Sequence, residues 1–389
     1  MTTVANGRSR FCGVLGAALG LVLLAAGCVP SAPVQQQAKS SAIFFPEPPD
    51  LPRYQFLRGY LGSSDFTGQQ SAFDALVVGR QSSGLRVDKA YGVAAVRGGI
   101  YVADTNFSLV KFDLINRKFG QIAGAQGLGK LVQPINACVD EAGNIFVADP
   151  LRKQVLQYDS REFFVKAFRF STDWKPVDVD FYKNMLFVGD GLNRQVHIFD
   201  RGTGDLLQSI GQEGAPDERM GLPLNIAISP DGILHISDAG KIRVMKYDLD
   251  GHFLGSFGSP GQSPGRFARP RGIAIDREGK IYVVDAAFDN IQVFAKDGQL
   301  LTFLGGAGDE PGQFNLAAGV EIDYANVDLF QEYIDPNFEA EYLVYVTSQF
   351  GNRPVSVFAY GKQKGVVYPE YEELLEKRKQ ELEELRKTR

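Results

Sequence analysis

RGIAIDREGKIYVVDAAFDNIQVFAKDGQLLTFLG, residues 271–305, is the stretch that decides the fold. Four short apolar runs, 273–275, 281–284, 291–294 and 300–304, are separated by Arg277-Glu278-Gly279, by a loop after Asp285, and by Lys296-Asp297-Gly298. Each run has the length of a strand and is rich in β-branched or aromatic residues. Glycine closes the first and third turns, where tight hairpins need a positive backbone angle that Cβ would strain. The stretch therefore reads as a four-stranded antiparallel meander. Such a sheet leaves two apolar faces uncovered and needs copies of itself on either side.

The copies are present. The aspartate ending the second strand recurs as Asp104 (IYVAD), Asp149 (IFVAD), Asp190 (LFVGD), Asp238 (LHISD) and Asp285 (IYVVD), at intervals of 45, 41, 48 and 47 residues. A degenerate sixth unit follows after 63 residues, with Ser348 at the aspartate position of LVYVTS. Four strands at this period are propeller blades, which predicts an all-β fold of six blades over 91–124, 132–169, 175–211, 222–258, 269–305 and 314–361. The motifs G-I-A-I-D, I-Y-V-V-D, I-Q-V-F and G-x-x-L-x-x-F-G resemble the NHL repeat, and the resemblance covers 54–361. It implies a six-bladed β-propeller and leaves the ligand unnamed, since these glycines and aspartates build blades whatever the propeller does. An aspartate that recurs in every blade implies a task done per blade, most simply accepting backbone hydrogen bonds at the strand end.

The last blade supplies only three clear strands, at 319–323, 343–347 and 355–358, while Tyr54-Gln55-Phe56-Leu57-Arg58-Gly59-Tyr60-Leu61-Gly62 is a strand with no blade of its own. The expectation is that it completes the sixth blade and covers its edge. Residues 63–89, with ALVVG inside, lead into the first inner strand at Gly92. Residues 326–342 are an insertion in the first hairpin of the sixth blade, expected to cap that blade alone. In the charged tail, 362–389, Glu373 with Lys377 and Glu383 with Lys387 are spaced as helical ion pairs, and Tyr371, Leu374, Leu375, Leu382 and Leu385 form one stripe. A C-terminal α-helix is predicted there.

The first 27 residues read as an export signal: Arg8 and Arg10, then an apolar run at 14–26 too short for a comfortable bilayer span. Leu24-Ala25-Ala26-Gly27-Cys28 resembles the lipobox of bacterial lipoproteins, which implies lipid on Cys28 and an outer-membrane address. Residues 28–53, Gln-rich and then Pro-rich, read as a tether. The formal charge is −5, and processing after Gly27 removes two arginines and no acid, taking it to −7. That balance argues against a nucleic-acid role, which usually shows a basic surface. With lipid on Cys28 the mature chain keeps one free thiol, Cys138, on an inner strand where it behaves as a small hydrophobe, and no CxxCH motif for haem is present.

Loops between blades and loops joining second to third strands share one face of a propeller. Phe107, Arg152, Arg194, Phe288, Phe350 and Arg353 from the latter, with Arg266, Arg269 and Arg271 from a linker, mix the aromatic and arginine types of interface hot spots. Catalysis is the alternative. Propeller lyases that resemble this fold use a histidine-bound zinc, but the three histidines, His197, His235 and His252, fall on outer-lying strands or a hairpin. Calcium-dependent propeller lactonases hold their ion at the inner-strand starts, which here read Gly92, Asn136, Asp178, Asn225, Gly272 and Gly319. Asn136, Asp178 and Asn225 are the oxygen donors that suit a hard cation, with one formal charge among them. The expectation is a lipid-anchored, non-catalytic protein-binding scaffold of the cell envelope, without cofactor. Some NHL-repeat lipoproteins are encoded among multihaem cytochromes, so the resemblance implies a multihaem cytochrome as the partner class.

Overall fold

Six antiparallel sheets, five of them simple four-stranded meanders, make up the computed structural model, which describes residues 42–67, 84–171 and 173–369. The predicted signal, Cys28, most of the tether, the ALVVG segment and the helical stripe lie outside the described residues. No helix among the described residues is long and apolar enough to cross a membrane.

Blade 5 matches the organising stretch: Pro270–Ile275, Ile281–Asp285, Asn290–Phe294 and Leu300–Gly305 pair in order. The second strand is buried along its whole length in blades 1, 2, 4 and 5, as in Ile281–Asp285, because sheets pack on both of its faces. Inner and outer strands are less covered, which is why alternation is visible there and lost in the middle. The core is therefore a series of layers between blades. One of them joins blades 5 and 6 through a hydroxyl chain in which Tyr54 Oη lies 2.9 Å from Tyr282 Oη, Tyr282 Oη lies 2.6 Å from Tyr342 Oη, and Tyr342 donates to Asp276 at 2.8 Å.

Blade 6 consists of Ala317–Asp323, Phe338–Ser348 and Val355–Gln363, completed by Tyr54–Tyr60 from the N-terminal side. Tyr54 pairs with Tyr360 and Tyr60 with Val355, so the ring is closed by the strand expected to close it. Two boundaries differ from the sequence reading. Ile43–Phe45, assigned to the tether, is a fifth strand on the outside of this sheet, since its alternate apolar residues cover Phe56 and Phe358. The tail also begins later, because the third strand runs to Gln363, and Tyr368 then donates to the Pro52 carbonyl at 2.7 Å with Arg53 stacked over its ring.

Contrary to expectation, the insertion reaches beyond its own blade. Its Val327–Tyr333 segment is a 3-10 helix whose Phe330 packs against Tyr60 and Tyr345. Asn326 crosses to blade 1, accepting from Gly98 N at 2.6 Å and donating to the Val96 carbonyl at 2.9 Å. Arg97 pairs with Asp328 from the blade 1 side. Sequence-distant groups thus clasp the seam where the chain's two ends meet.

Candidate functional site

The recurring aspartates fix the loop face. Asp238, fully buried, accepts from Gly221 N at 2.6 Å, Leu222 N at 2.9 Å and Lys241 N at 2.9 Å, tying the incoming linker to the loop after the second strand. Asp104, Asp149, Asp190 and Asp285 repeat the arrangement. Blade 6, with Ser348 in that place, borrows Asp289 of blade 5, whose Oδ1 accepts from Ala317 N at 2.8 Å. Asp190 additionally meets Nε2 of the fully buried His197 at 3.0 Å, and its carboxyl stays ionised down to about 2, held there against the opposing effect of burial by the His197 bond and backbone donors. His197 lies on a third strand, His235 on a second strand and His252 in a hairpin.

Around this face the structure divides the predicted contact residues. Phe107 is 45% exposed and Phe350 60%. Arg194, Arg266 and Arg269 are exposed as well. Arg152 instead donates to the carbonyls of Leu128 and Lys130, and Arg353 to that of Asp309, so both guanidiniums brace neighbouring loops. Phe288 is half-buried, and Arg271 is buried. Sequence reading missed the apolar partners of Phe107 and Phe350: Leu151, 63% exposed, and Leu192, 52% exposed, occupy the same loop tip in blades 2 and 3. The signal was present in their offset, two or three residues after the recurrent aspartate or its serine substitute. Leu128 and Val132, on the linker between blades 1 and 2, are exposed beside them. Blades 6, 1, 2 and 3 thus carry one apolar arc.

At the hub the inner strands enclose a cavity of about 270 Å³. The starts at Gly92, Gly272 and Gly319 are glycine because the neighbouring strand arrives too closely: a Cβ on Gly319 would lie 2.5 Å from the Tyr91 carbonyl oxygen, and one on Gly272 2.6 Å from that of Ala318. On the other half, side chains take up the space. Asp178 accepts from Val179 N at 2.8 Å, Ile226 N at 2.7 Å and Asn225 Nδ2 at 3.2 Å. Two residues further down, Asp180 repeats the clasp with Ile228 N at 3.0 Å, and Glu321 accepts from Ala95 N across the closing seam. Burial pushes Asp178 up to about 8 and Asp180 up to about 6, and Glu321 rises well above the usual range by burial and by the charges of Asp180 and Asp323. Period-two spacing along the inner strands would have pointed to Asp180 and Glu321.

Asn136, Asp178 and Asn225 do line one cavity, as their positions predicted. They fit calcium poorly, because both Asp178 oxygens already accept hydrogen bonds and only Asn225 Oδ1 is buried without a partner. The one group of described acidic, histidine or cysteine side chains with converging ligand atoms is Asp248, Asp250 and His252. It is an exposed hairpin in which Asp248 already accepts from the Asp250 and His252 amides. Cys138 lines the same hub cavity and packs against the hydrophobic layer between blades 2 and 3, and burial together with Asp180 and Asp178 pushes its thiol well up, which disfavours the reactive thiolate.

The architecture has relatives. The family model DUF5128, described as a 6-bladed beta-propeller, matches residues 170–260, which hold blades 3 and 4. No curated protein matches the sequence. Among solved structures, a gluconolactonase from Xanthomonas campestris is 13% identical with a TM-score of 0.52, over 82% of this chain and 97% of its own. A virginiamycin B lyase from Staphylococcus aureus is 12% identical with a TM-score of 0.50, over 72% of this chain and 98% of its own. A protein of unknown function from Bacteroides thetaiotaomicron is 15% identical with a TM-score of 0.53, over 72% of this chain and 71% of its own. At such identities the likeness shows the fold alone: this chain is a six-bladed β-propeller.

Proposed function

We propose that this propeller is a non-catalytic protein-binding scaffold of the bacterial cell envelope, an NHL-type lipoprotein held to the outer membrane through Cys28. The observation that carries the binding reading is the repeated exposure of a large apolar side chain at one loop position in four adjacent blades: Phe350, Phe107, Leu151 and Leu192. Isolated exposed leucines need no explanation, but a contiguous arc on the face opposite the hairpins is what a partner covers. Arg194 lies beside the arc and supplies the polar rim. A multihaem cytochrome is the partner class suggested by the NHL lipoprotein resemblance. The alternative, a calcium-dependent hydrolase, has less to support it, since the hub carboxylates are spent on bracing blades.

The test is capture from envelope extract by the purified propeller, followed by its absorbance in the haem region. Changing Phe107, Leu151, Leu192 and Phe350 together to serine leaves the fold intact, because all four side chains point to solvent, and abolishes capture. Undiminished capture by that variant removes the apolar arc as the binding surface.

A further inference from the structure

Arg271 opens the inner strand of blade 5, whose following residues line the hub cavity. Only 8% of it is exposed, and its Nε and Nη1 are buried without an acceptor. Its guanidinium faces the ring of Tyr91 from blade 1, with the guanidinium carbon 5.2 Å from the ring centroid. Other inward-turned arginines have carboxylates: Arg58 meets Asp65, Arg201 meets Asp140 and Arg243 meets Asp217. Arg271 has none among the described residues, and its chain neighbour Arg269 adds like charge.

An arginine does not shed its proton in a protein, so a buried one without a counter-charge is strongly unfavourable. The π face of Tyr91 offsets part of that cost. A water molecule could accept a hydrogen bond here but brings no charge. Asp178, the acid whose charge bears on Tyr91, has both oxygens taken by Val179 N, Ile226 N and Asn225 Nδ2. At the same time the glycines at 92, 272 and 319 leave the strand starts of blades 1, 5 and 6 without side chains.

We propose that the mouth of the hub is an oxyanion site, in which Arg271 pairs with the carboxylate or phosphate group of a small ligand and Arg269 adds a second positive charge. The cavity below takes the uncharged remainder of that ligand. The site is separate from the apolar arc and does not depend on the scaffold reading.

Thermal unfolding in an anion-poor buffer, with sodium acetate or inorganic phosphate added separately to about 20 mM, tests it. The wild-type midpoint rises by about 2 °C or more with at least one of the two anions, and which one responds tells carboxylate from phosphate. Arg271→Met, relieved of a buried charge, unfolds no earlier than wild type without anion and does not respond to it. Lys118→Met, on an exposed outer strand, responds as wild type does. An equal rise in wild type and Arg271→Met, or no rise in wild type with either anion, overturns the proposal. Should Arg271→Met fail to fold, the Arg271 Nε–H signal in the wild-type NMR spectrum decides: a shift on adding the same anions supports the site, and an unmoved signal overturns it.

Discussion

Replacing Asp178 by asparagine separates the hub carboxyl's charge from its shape. With its folded value raised from 3.8 to about 8, the carboxyl holds a proton in the folded ring that it releases in the unfolded chain at any pH between those limits. The stability this group lends is therefore full below pH 3.8 and drains away as pH rises toward 8. One such proton is worth about 1.4 kcal/mol per pH unit, so between pH 5 and pH 7 the wild type loses about 2.7 kcal/mol through this residue. Asparagine does not titrate. It does have one acceptor oxygen fewer for the three donors on Asp178, which at pH 5 makes the variant about 1–3 kcal/mol less stable than wild type. At pH 7 that deficit closes or reverses. Asp180 and Glu321 titrate in both chains and largely cancel from the comparison.

The assay is urea unfolding at the two pH values, followed by the fluorescence of Trp174, the chain's single tryptophan, which is buried at the entrance to blade 3. A gap between wild type and variant that stays constant from pH 5 to pH 7 refutes the reasoning, because it means the carboxyl is already ionised throughout and the hub solvates it far better than its geometry implies.

Three further outcomes follow from the same structure. Asp238→Ala orphans three backbone N–H groups and costs about 2–4 kcal/mol in urea unfolding, whereas Ser348→Ala, which loses one 3.4 Å contact from Asn315 N, costs under about 1 kcal/mol. Asp190, held down to about 2, lends stability that is present above pH 3.8 and lost as pH falls toward 2. His197→Phe removes a bond that holds it there, so acid unfolding followed by circular dichroism begins at a higher pH. Asn326→Ala unclasps blade 6 from blade 1, costing about 2–4 kcal/mol and speeding hydrogen exchange in Ala90–Val96 and Gly99–Asp104, with blades 3 and 4 unaffected.

Much of the candidate site was legible strand by strand. Asn136, Asp178 and Asn225 could be placed at the hub because each begins an inner strand, and a strand start is set by a local proline or turn and by the apolar run that follows. The task of the recurrent aspartates could be read from their recurrence. Arg152 and Arg353, by contrast, look on paper like Arg194. Only the carbonyls of Leu128, Lys130 and Asp309, delivered by neighbouring loops, turn the first two into braces. Asp289 serving blade 6 from blade 5 was illegible for the same reason, since its acceptor role depends on where the next blade's first strand arrives.

Period-two apolar runs, glycines at the turns and an aspartate every forty-odd residues determined by themselves that the chain makes six meanders and that the strand from Tyr54 completes the sixth, because strand and turn preferences act over a few residues and repetition fixes how many sheets there are. Closure of the ring decided the rest. Tyr91, Asp178 and Arg271 come from three different blades and share one mouth, and the insertion reaches blade 1, because sheet twist and blade number set which strand starts face each other, and no local run of sequence carries those two quantities.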